Sequence, residues 1–89
     1  MNLNLSRSEC AEILRAAGLP VSSPRIEIYN HLYRNRIHPT ADTLYRSLVA
    51  ESPSLSKTTI YNTLKAFASH HLLQLVIIED GELRFDVNT

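Results

Sequence analysis

The fold is decided by the stretch SKTTIYNTLKAF, which runs from Ser56 to Phe67. Its apolar residues Ile60, Leu64 and Phe67 recur at spacings of four and three. This spacing predicts a helix with one buried side. Ser56 is a favourable N-cap, because its hydroxyl can accept a hydrogen bond from an unpaired amide of the first turn. The stretch therefore predicts an amphipathic helix that begins after Ser56.

The opposite side of this helix combines hydrogen-bond donors, hydroxyls, a phenol and two cations. Its residues are Lys57, Thr58, Tyr61, Asn62 and Lys65. Such a set can contact phosphates and base edges in a DNA major groove. No acidic residue occurs between Ser52 and Ile78, so nothing along the helix is expected to repel a polyanion. The alternative is an ordinary helix with a solvated polar face, and the surrounding sequence has to decide between the two.

Composition predicts one soluble globular domain over residues 1–89, with 44% hydrophobic and 20% charged residues. No apolar run approaches the roughly 20 residues that span a bilayer, and no secretory signal is visible at the N-terminus. The single cysteine, Cys10, excludes an internal disulfide and a multi-cysteine zinc site within this sequence. We therefore expect a cytoplasmic, reducing compartment and no membrane partner.

The net charge is zero, with nine basic and nine acidic residues. A neutral domain counts against nucleic-acid binding, for which a basic surface is expected. The charges are unevenly distributed, however. Lys57 and Lys65 are the only charged residues between Ser52 and Ile78, whereas acidic residues cluster after residue 78. A local positive field can still attract a polyanion.

Two helices are predicted in the first third of the chain. Ser6 and Glu9 form a capping box at the start of the first, which should end near Ala17 because Gly18 suits the left-handed position after a helix. A serine caps the second helix, and Pro24 lies in its first turn. The residues predicted to face the core are Cys10, Ile13, Leu14, Ala17, Ile28, Tyr29 and Leu32.

A third helix is predicted after Thr40 and extends to about Glu51, with Leu44, Leu48 and Val49 on its buried side. Residues 52–55 form a short turn into the helix that follows Ser56. Two helices joined by a turn of this length, the second with a polar exposed face, are typical of a helix-turn-helix.

The hydrophobic period changes after residue 71. Two runs follow in which every second residue is apolar, which is typical of strands. The apolar residues are Leu73, Leu75 and Ile77 in the first run and Leu83, Phe85 and Val87 in the second. Asp80 and Gly81 lie between these runs and predict a hairpin turn, because both central positions need positive φ. The sequence therefore predicts a mainly α fold with a small β-hairpin. Four helices followed by a two-stranded antiparallel wing make a winged helix-turn-helix.

Four segments in this order resemble the N-terminal DNA-binding domain of the ferric uptake regulator (Fur) superfamily. They are residues 17–25, 38–45, 56–64 and 81–86. The sequence His-Pro-Thr-Ala-Asp at residues 38–42 and the pair Tyr61–Asn62 are similar to the peroxide-sensing branch of the family. The resemblance implies a metal- or peroxide-responsive transcriptional repressor that binds A/T-rich inverted repeats of double-stranded DNA as a homodimer.

The resemblance also implies which residues contact DNA. Tyr61 would contact thymine methyls or phosphate, Asn62 base edges or backbone, and Thr58 and Thr59 phosphates or bases. Arg25 would bind phosphate. From its position alone, a cation in the first turn of a helix is disfavoured by the helix dipole, so Arg25 has either a phosphate or carboxylate partner or no partner at all.

One position departs from the family pattern. Pro20 stands where a cation often reaches the minor groove, and that contact is expected to be lost.

His38 and Asp86 are implied by the resemblance to be two ligands of a regulatory metal. Imidazole and carboxylate suit iron, manganese or zinc. The alternative is a loop histidine and a carboxylate at a strand end. The remaining ligands and the dimerisation domain are expected after Asp86, outside this sequence, so no cofactor is expected for residues 1–89 alone. His70 and His71, at the end of the fourth helix, are expected to complement the helix dipole or to cap carbonyl groups.

Two other classes of function have less support from the sequence. A winged helix that binds protein would agree with zero net charge, and the salt dependence of binding would distinguish it from a DNA-binding domain. Enzymatic activity is not predicted, because the sequence has no glycine-rich phosphate loop and no nucleophile–histidine–acid set, and Cys10 lies on an apolar stripe.

Overall fold

The computed structural model describes residues 5–34, 40–77 and 83–87. Four helices precede a two-stranded sheet in this part of the chain. They are α1 (Arg7–Ala16), α2 (Ser23–Arg34), α3 (Ala41–Val49) and α4 (Lys57–Ser69), followed by β1 (Leu73–Ile77) and β2 (Leu83–Val87). The predicted winged helix-turn-helix is confirmed.

The helices begin where their capping residues predict. The Ser6 hydroxyl accepts from the Glu9 amide, and the Glu9 carboxylate accepts from the Ser6 amide, both at 3.1 Å. Thr40 and Ser56 cap α3 and α4 by accepting from amides three residues later. At the start of α2 the Ser22 hydroxyl accepts from the Arg25 amide at 3.3 Å. These side chains satisfy first-turn amides that no backbone carbonyl can reach.

The helix ends agree less uniformly with prediction. α1 is followed by Gly18 with φ of 84°, as expected for a glycine that ends a helix. α3 ends at Val49, two residues before the predicted end at Glu51. Its carbonyl at Leu48 accepts from the amides of both Glu51 and Ser52, which turns the chain towards α4.

The core contains most of the residues expected to face it. The buried members on the helices are Cys10, Ala11, Leu14, Ile26, Ile28, Tyr29, Leu32, Leu44, Leu48, Ile60, Leu64 and Phe67. Tyr29 and Phe67 meet edge to face, with ring centroids 5.8 Å apart, and join α2 to α4. Three expected core residues are only half-buried, namely Ile13, Ala17 and Val49. Burial of Ala11 and Ile26 was not predicted.

The strands pair antiparallel, and Leu73 lies opposite Val87. β1 packs against α4 and β2 packs against α2. Leu73 and Phe85 are buried and attach the sheet to the core. The predicted Asp80–Gly81 turn lies outside the described residues.

His70 links the ends of two helices. It is the C-cap residue of α4, and its Nδ1 lies 2.8 Å from the carbonyl oxygen of Ala17, just after α1. Since a carbonyl only accepts, Nδ1 carries the proton. This hydrogen bond differs from the prediction for the end of α4, because the carbonyl that His70 caps follows α1.

Candidate nucleic-acid interface

The polar face of α4 is exposed along its length. Lys57, Thr58, Tyr61, Asn62 and Lys65 are all exposed. Tyr61 is 46% exposed, whereas Ile60, Leu64 and Phe67 are fully buried. The structure therefore brings five of the predicted DNA-contacting residues onto one surface. We call these five residues the α4 polar face.

Lys65 packs against Tyr61 within this face. Its ammonium group lies 5.6 Å from the centroid of the Tyr61 ring, one helical turn earlier. A cation over an aromatic ring at this distance is attracted by the ring electrons. This contact holds the Tyr61 ring next to the Lys65 ammonium group, so that one phosphate can contact both side chains.

Thr59 differs from the α4 polar face, because it is half-buried. Its hydroxyl lies 2.8 Å from the Ser56 hydroxyl, and its amide donates to the same Ser56 oxygen at 3.0 Å. Thr59 thus belongs to the N-cap of α4 as well as to the predicted contact set. A DNA contact through its hydroxyl would have to share this group with Ser56.

The structure places an acidic residue beside the α4 polar face. Asp42, in the first turn of α3, accepts from the Lys57 ammonium at 2.8 Å and from Arg46 at 3.0 Å. The hydrogen bond from Lys57 lowers the pKa of the Asp42 carboxyl, and the nearby charge of Arg46 adds to this effect. The sequence of α4 does not reveal this carboxylate, which α3 supplies and which Lys57 and Arg46 neutralise.

Arg25 is half-buried and has a partner that the sequence did not suggest. Its guanidinium donates to the carbonyl oxygen of Pro20 at 3.1 Å. Its Nε is buried and has no hydrogen-bond partner among the described residues. Among the described residues, a backbone carbonyl takes the place of the carboxylate partner or the lone arginine, and a phosphate partner stays a prediction. The Arg25 guanidinium instead lies beside Pro20. Pro20 occupies the position at which the resemblance predicts the loss of a basic side chain.

The predicted metal ligands lie outside the described side chains. His38 belongs to an undescribed segment, and for Asp86 only the backbone is described, paired with Gln74 across the sheet. Within residues 5–34, 40–77 and 83–87, no group of three or more histidine, cysteine, aspartate or glutamate residues could hold a metal ion. The same residues include no helix that is long and apolar enough to cross a membrane.

The chain was compared with known protein families and curated proteins. The model of the ferric uptake regulator family matches residues 16–89. The peroxide-responsive repressor PerR of Staphylococcus aureus strain Mu50 is 37% identical over 76 residues, which covers 85% of this chain and 51% of the relative. The chain therefore spans about half the length of the curated relatives it matches.

Solved structures show the same similarity. PerR of Streptococcus pyogenes, described in relation to peroxide sensing and gene regulation, gives a TM-score of 0.79 at 27% identity, covering 93% of this chain and 58% of that one. The Vibrio cholerae ferric uptake regulator gives 0.79 at 26% identity, covering 89% and 61%. The Pseudomonas aeruginosa regulator, solved with manganese, gives 0.79 at 28% identity, covering 88% and 59%.

These relatives are regulators and a repressor by name, not enzymes. The match extends over most of the sequence and over the whole helix-turn-helix and wing. The chain belongs to the ferric uptake regulator family.

Proposed function

We propose that this chain is the DNA-binding part of a metal- or peroxide-responsive transcriptional repressor that acts in the cytoplasm. Its target is an A/T-rich inverted repeat of double-stranded DNA, which two copies bind through a dimerisation domain outside residues 1–89. The exposed α4 polar face, held on a short turn after α3, is the observation that carries this proposal. Such a helix fits a major groove with side chains directed at base edges.

The contact residues divide by chemistry. Asn62 and Tyr61 can reach base edges, the first through its amide and the second through ring contact with thymine methyls. Thr58 and Thr59 offer hydroxyls, and Lys65, Lys57 and Arg25 offer cations for phosphates. Phosphate contacts position the helix, whereas base contacts select the sequence.

The metal belongs to the whole protein in this proposal. His38 and Asp86 would supply two ligands for iron, manganese or zinc, and other ligands would come from outside this sequence. The Pseudomonas aeruginosa relative solved with manganese supports a divalent metal in the family.

The second candidate is a protein-binding winged helix. Zero net charge favours it, and the Lys57–Asp42 ion pair removes one of the cations that DNA would need. The exposed face of α4 contains one large apolar group, Tyr61, and an apolar patch is what a protein partner would normally require. The composition of this face therefore favours DNA.

Fluorescence anisotropy with the 89-residue chain tests the proposal. An A/T-rich inverted-repeat duplex and a scrambled duplex are titrated over a salt series. Each neutralised phosphate contributes about −0.9 to the slope of log affinity against log salt, so two to three cations predict a slope of about −2 to −3 per chain. Tighter binding to the repeat with this slope supports the proposal. Absence of binding to both duplexes at low salt contradicts it and favours the protein-binding candidate.

Lys65 provides an internal check in the same experiment. Lys65→Ala should reduce the slope by about one. Arg15→Ala is the matched control, because Arg15 is an exposed cation on α1, outside the helix-turn-helix. An equal change of slope in both variants would show that α4 is not the phosphate-contacting element.

A further inference from the structure

Asp42 connects the two helices of the helix-turn-helix at their exposed N-terminal ends. It is the second residue of α3, and its partner Lys57 is the first residue of α4. The pair is open to solvent, since the Asp42 side chain is 45% exposed and that of Lys57 is 60% exposed. A DNA phosphate approaching the start of α4 would therefore meet both groups.

The carboxylate is held in place by its own helix. Thr40 caps α3 by accepting from the Thr43 amide at 3.1 Å, and a negative charge in the first turn is favoured by the helix dipole. Arg46, one turn later, binds the second carboxylate oxygen at 3.0 Å. Asp42 thus has a second partner on its own helix, whereas Lys57 reaches it by a longer side chain with a flexible four-carbon stem.

A phosphate and the Asp42 carboxylate are competing acceptors for the same ammonium group. While Lys57 is paired with Asp42, the two side chains carry no net charge and release no DNA counterion. Transfer of Lys57 to a phosphate would leave the Asp42 carboxylate, with Arg46 as its remaining partner, close to that phosphate, where the two negative charges repel. Both effects weaken binding, and neither depends on the base sequence.

We propose that Asp42 competes with DNA phosphate for Lys57 and thereby lowers the affinity of the domain for DNA of any sequence. The inference rests on the proposed function. It makes Asp42 a determinant of the sequence-independent part of binding, through its ion pair with Lys57. The opposite arrangement, in which Asp42 orients Lys57 towards a phosphate, predicts effects of opposite sign.

Asp42→Asn tests the inference, because it removes the charge and keeps the shape. Binding to both the repeat and the scrambled duplex should tighten by up to about fivefold, the upper end of the range expected for one exposed ion pair. The salt slope should steepen by about one unit as Lys57 becomes available to a phosphate. Asp42→Ser is a second variant that also removes the charge and retains a residue suited to the start of a helix.

A double-mutant cycle with Lys57→Ala separates competition from orientation. Competition predicts that Lys57→Ala weakens binding more in the D42N background than in the wild type. Lys65→Ala is the matched control, because Lys65 is the other lysine of the α4 polar face and packs on Tyr61 rather than on Asp42. The loss of DNA affinity caused by Lys65→Ala should be the same in the wild type and in the D42N background.

Three results would overturn the inference. The first is unchanged or weaker binding by Asp42→Asn and Asp42→Ser while the wild type binds normally. The second is a loss of DNA affinity on Lys57→Ala that is larger in the wild type than in the D42N background. The third comes from the free protein, where Lys57→Ala should raise the carboxyl pKa of Asp42 in an NMR titration, and an unchanged pKa would exclude the pair. If neither the wild type nor any variant binds DNA, the proposed function fails together with the inference. If the wild type binds DNA and one of the three results is found, only the inference fails.

Discussion

Neighbouring residues of α4 have opposite environments. Ile60 is fully buried, and Tyr61, the next residue, is 46% exposed. Thr63 is also buried, with its hydroxyl donating to the Thr59 carbonyl at 2.7 Å, so a polar residue lies on the core side without an unpaired group. Successive side chains of a helix point about 100° apart, so neighbouring residues can lie on the core side and on the α4 polar face. Single substitutions can therefore test each side independently.

Tyr61→Ala should weaken duplex binding and leave the fold intact. Removal of an exposed side chain changes the free energy of unfolding by less than about 0.5 kcal/mol. Phe67→Ala is the buried counterpart on the same helix and should cost about 3–5 kcal/mol, since it leaves a cavity against Tyr29. Thermal denaturation and anisotropy of both variants provide the measurement. A loss of stability in Tyr61→Ala comparable to that of Phe67→Ala would mean that α4 faces the other way.

Gly18→Ala tests the left-handed turn after α1. An alanine at φ of 84° is strained, and we expect a loss of about 1–2 kcal/mol in the free energy of unfolding. Steric contact is not the cause, because an added Cβ would lie 3.7 Å from the His70 ring, an ordinary contact distance. Gly18→Asn should cost less, because asparagine tolerates this conformation. Equal losses for alanine and asparagine in denaturant titrations would point to crowding against His70 instead.

At the scale of the element, each helix of the helix-turn-helix begins at a hydroxyl-bearing residue. Thr40 and Ser56 each accept from the amide three residues later and also contact a threonine hydroxyl at that position. The two caps fix the starts of α3 and α4, and hence the position of Asp42 and of Lys57. The geometry of the α4 polar face depends on these local hydrogen bonds.

Ser56→Ala should destabilise the domain by about 1 kcal/mol, the usual cost of losing an N-cap hydroxyl. Ser56→Asn should restore most of the stability, because its side-chain oxygen can accept the same hydrogen bond. Ser47→Ala is the control, since Ser47 is exposed inside α3, where alanine favours the helix. Urea denaturation of the three variants measures the effect, and an unchanged midpoint for Ser56→Ala would show that the cap contributes nothing.

The sequence predicted elements better than it predicted contacts between them. Caps, apolar stripes and alternating runs are local signals, and they predicted the start of each helix and the hairpin-forming strands. The Lys57–Asp42 and His70–Ala17 contacts depend on how elements pack. Asp42 is fifteen residues before Lys57, and His70 is fifty-three residues after Ala17. No spacing rule connects such positions, so the electrostatics of the candidate interface required the structure.

At the scale of the whole molecule, zero net charge conceals an uneven distribution. The α4 polar face is basic, whereas Glu27 and Glu51 lie on a separate cleft between α2 and the end of α3, with Arg34 beside them. His31 belongs to this second region. Its pKa is lowered by burial and by the positive charge of Arg34, and the Glu51 carboxylate opposes the shift.

The lowered pKa of His31 predicts a pH dependence of stability. The unfolded chain binds a proton at His31 more readily than the folded domain does. The free energy of unfolding is therefore highest above the ordinary histidine pKa of about 6.5 and falls as the pH drops through and below that value. Chemical denaturation over this range should show a smaller pH dependence for His31→Gln. His71→Asn is the control, because His71 is exposed and its φ of 64° suits asparagine. Identical pH dependence in His31→Gln and the wild type would contradict the prediction that His31 causes this loss of stability.

NMR of the 89-residue chain tests directly whether the α4 polar face binds DNA. Amide correlation spectra are recorded while an A/T-rich inverted-repeat duplex is added. We expect the largest shifts between Lys57 and Lys65, with smaller shifts at Arg25 and at Asp42 as Lys57 moves between its acceptors. Shifts confined to α1 or to the cleft of Glu27 and Glu51, with α4 unchanged, would contradict it.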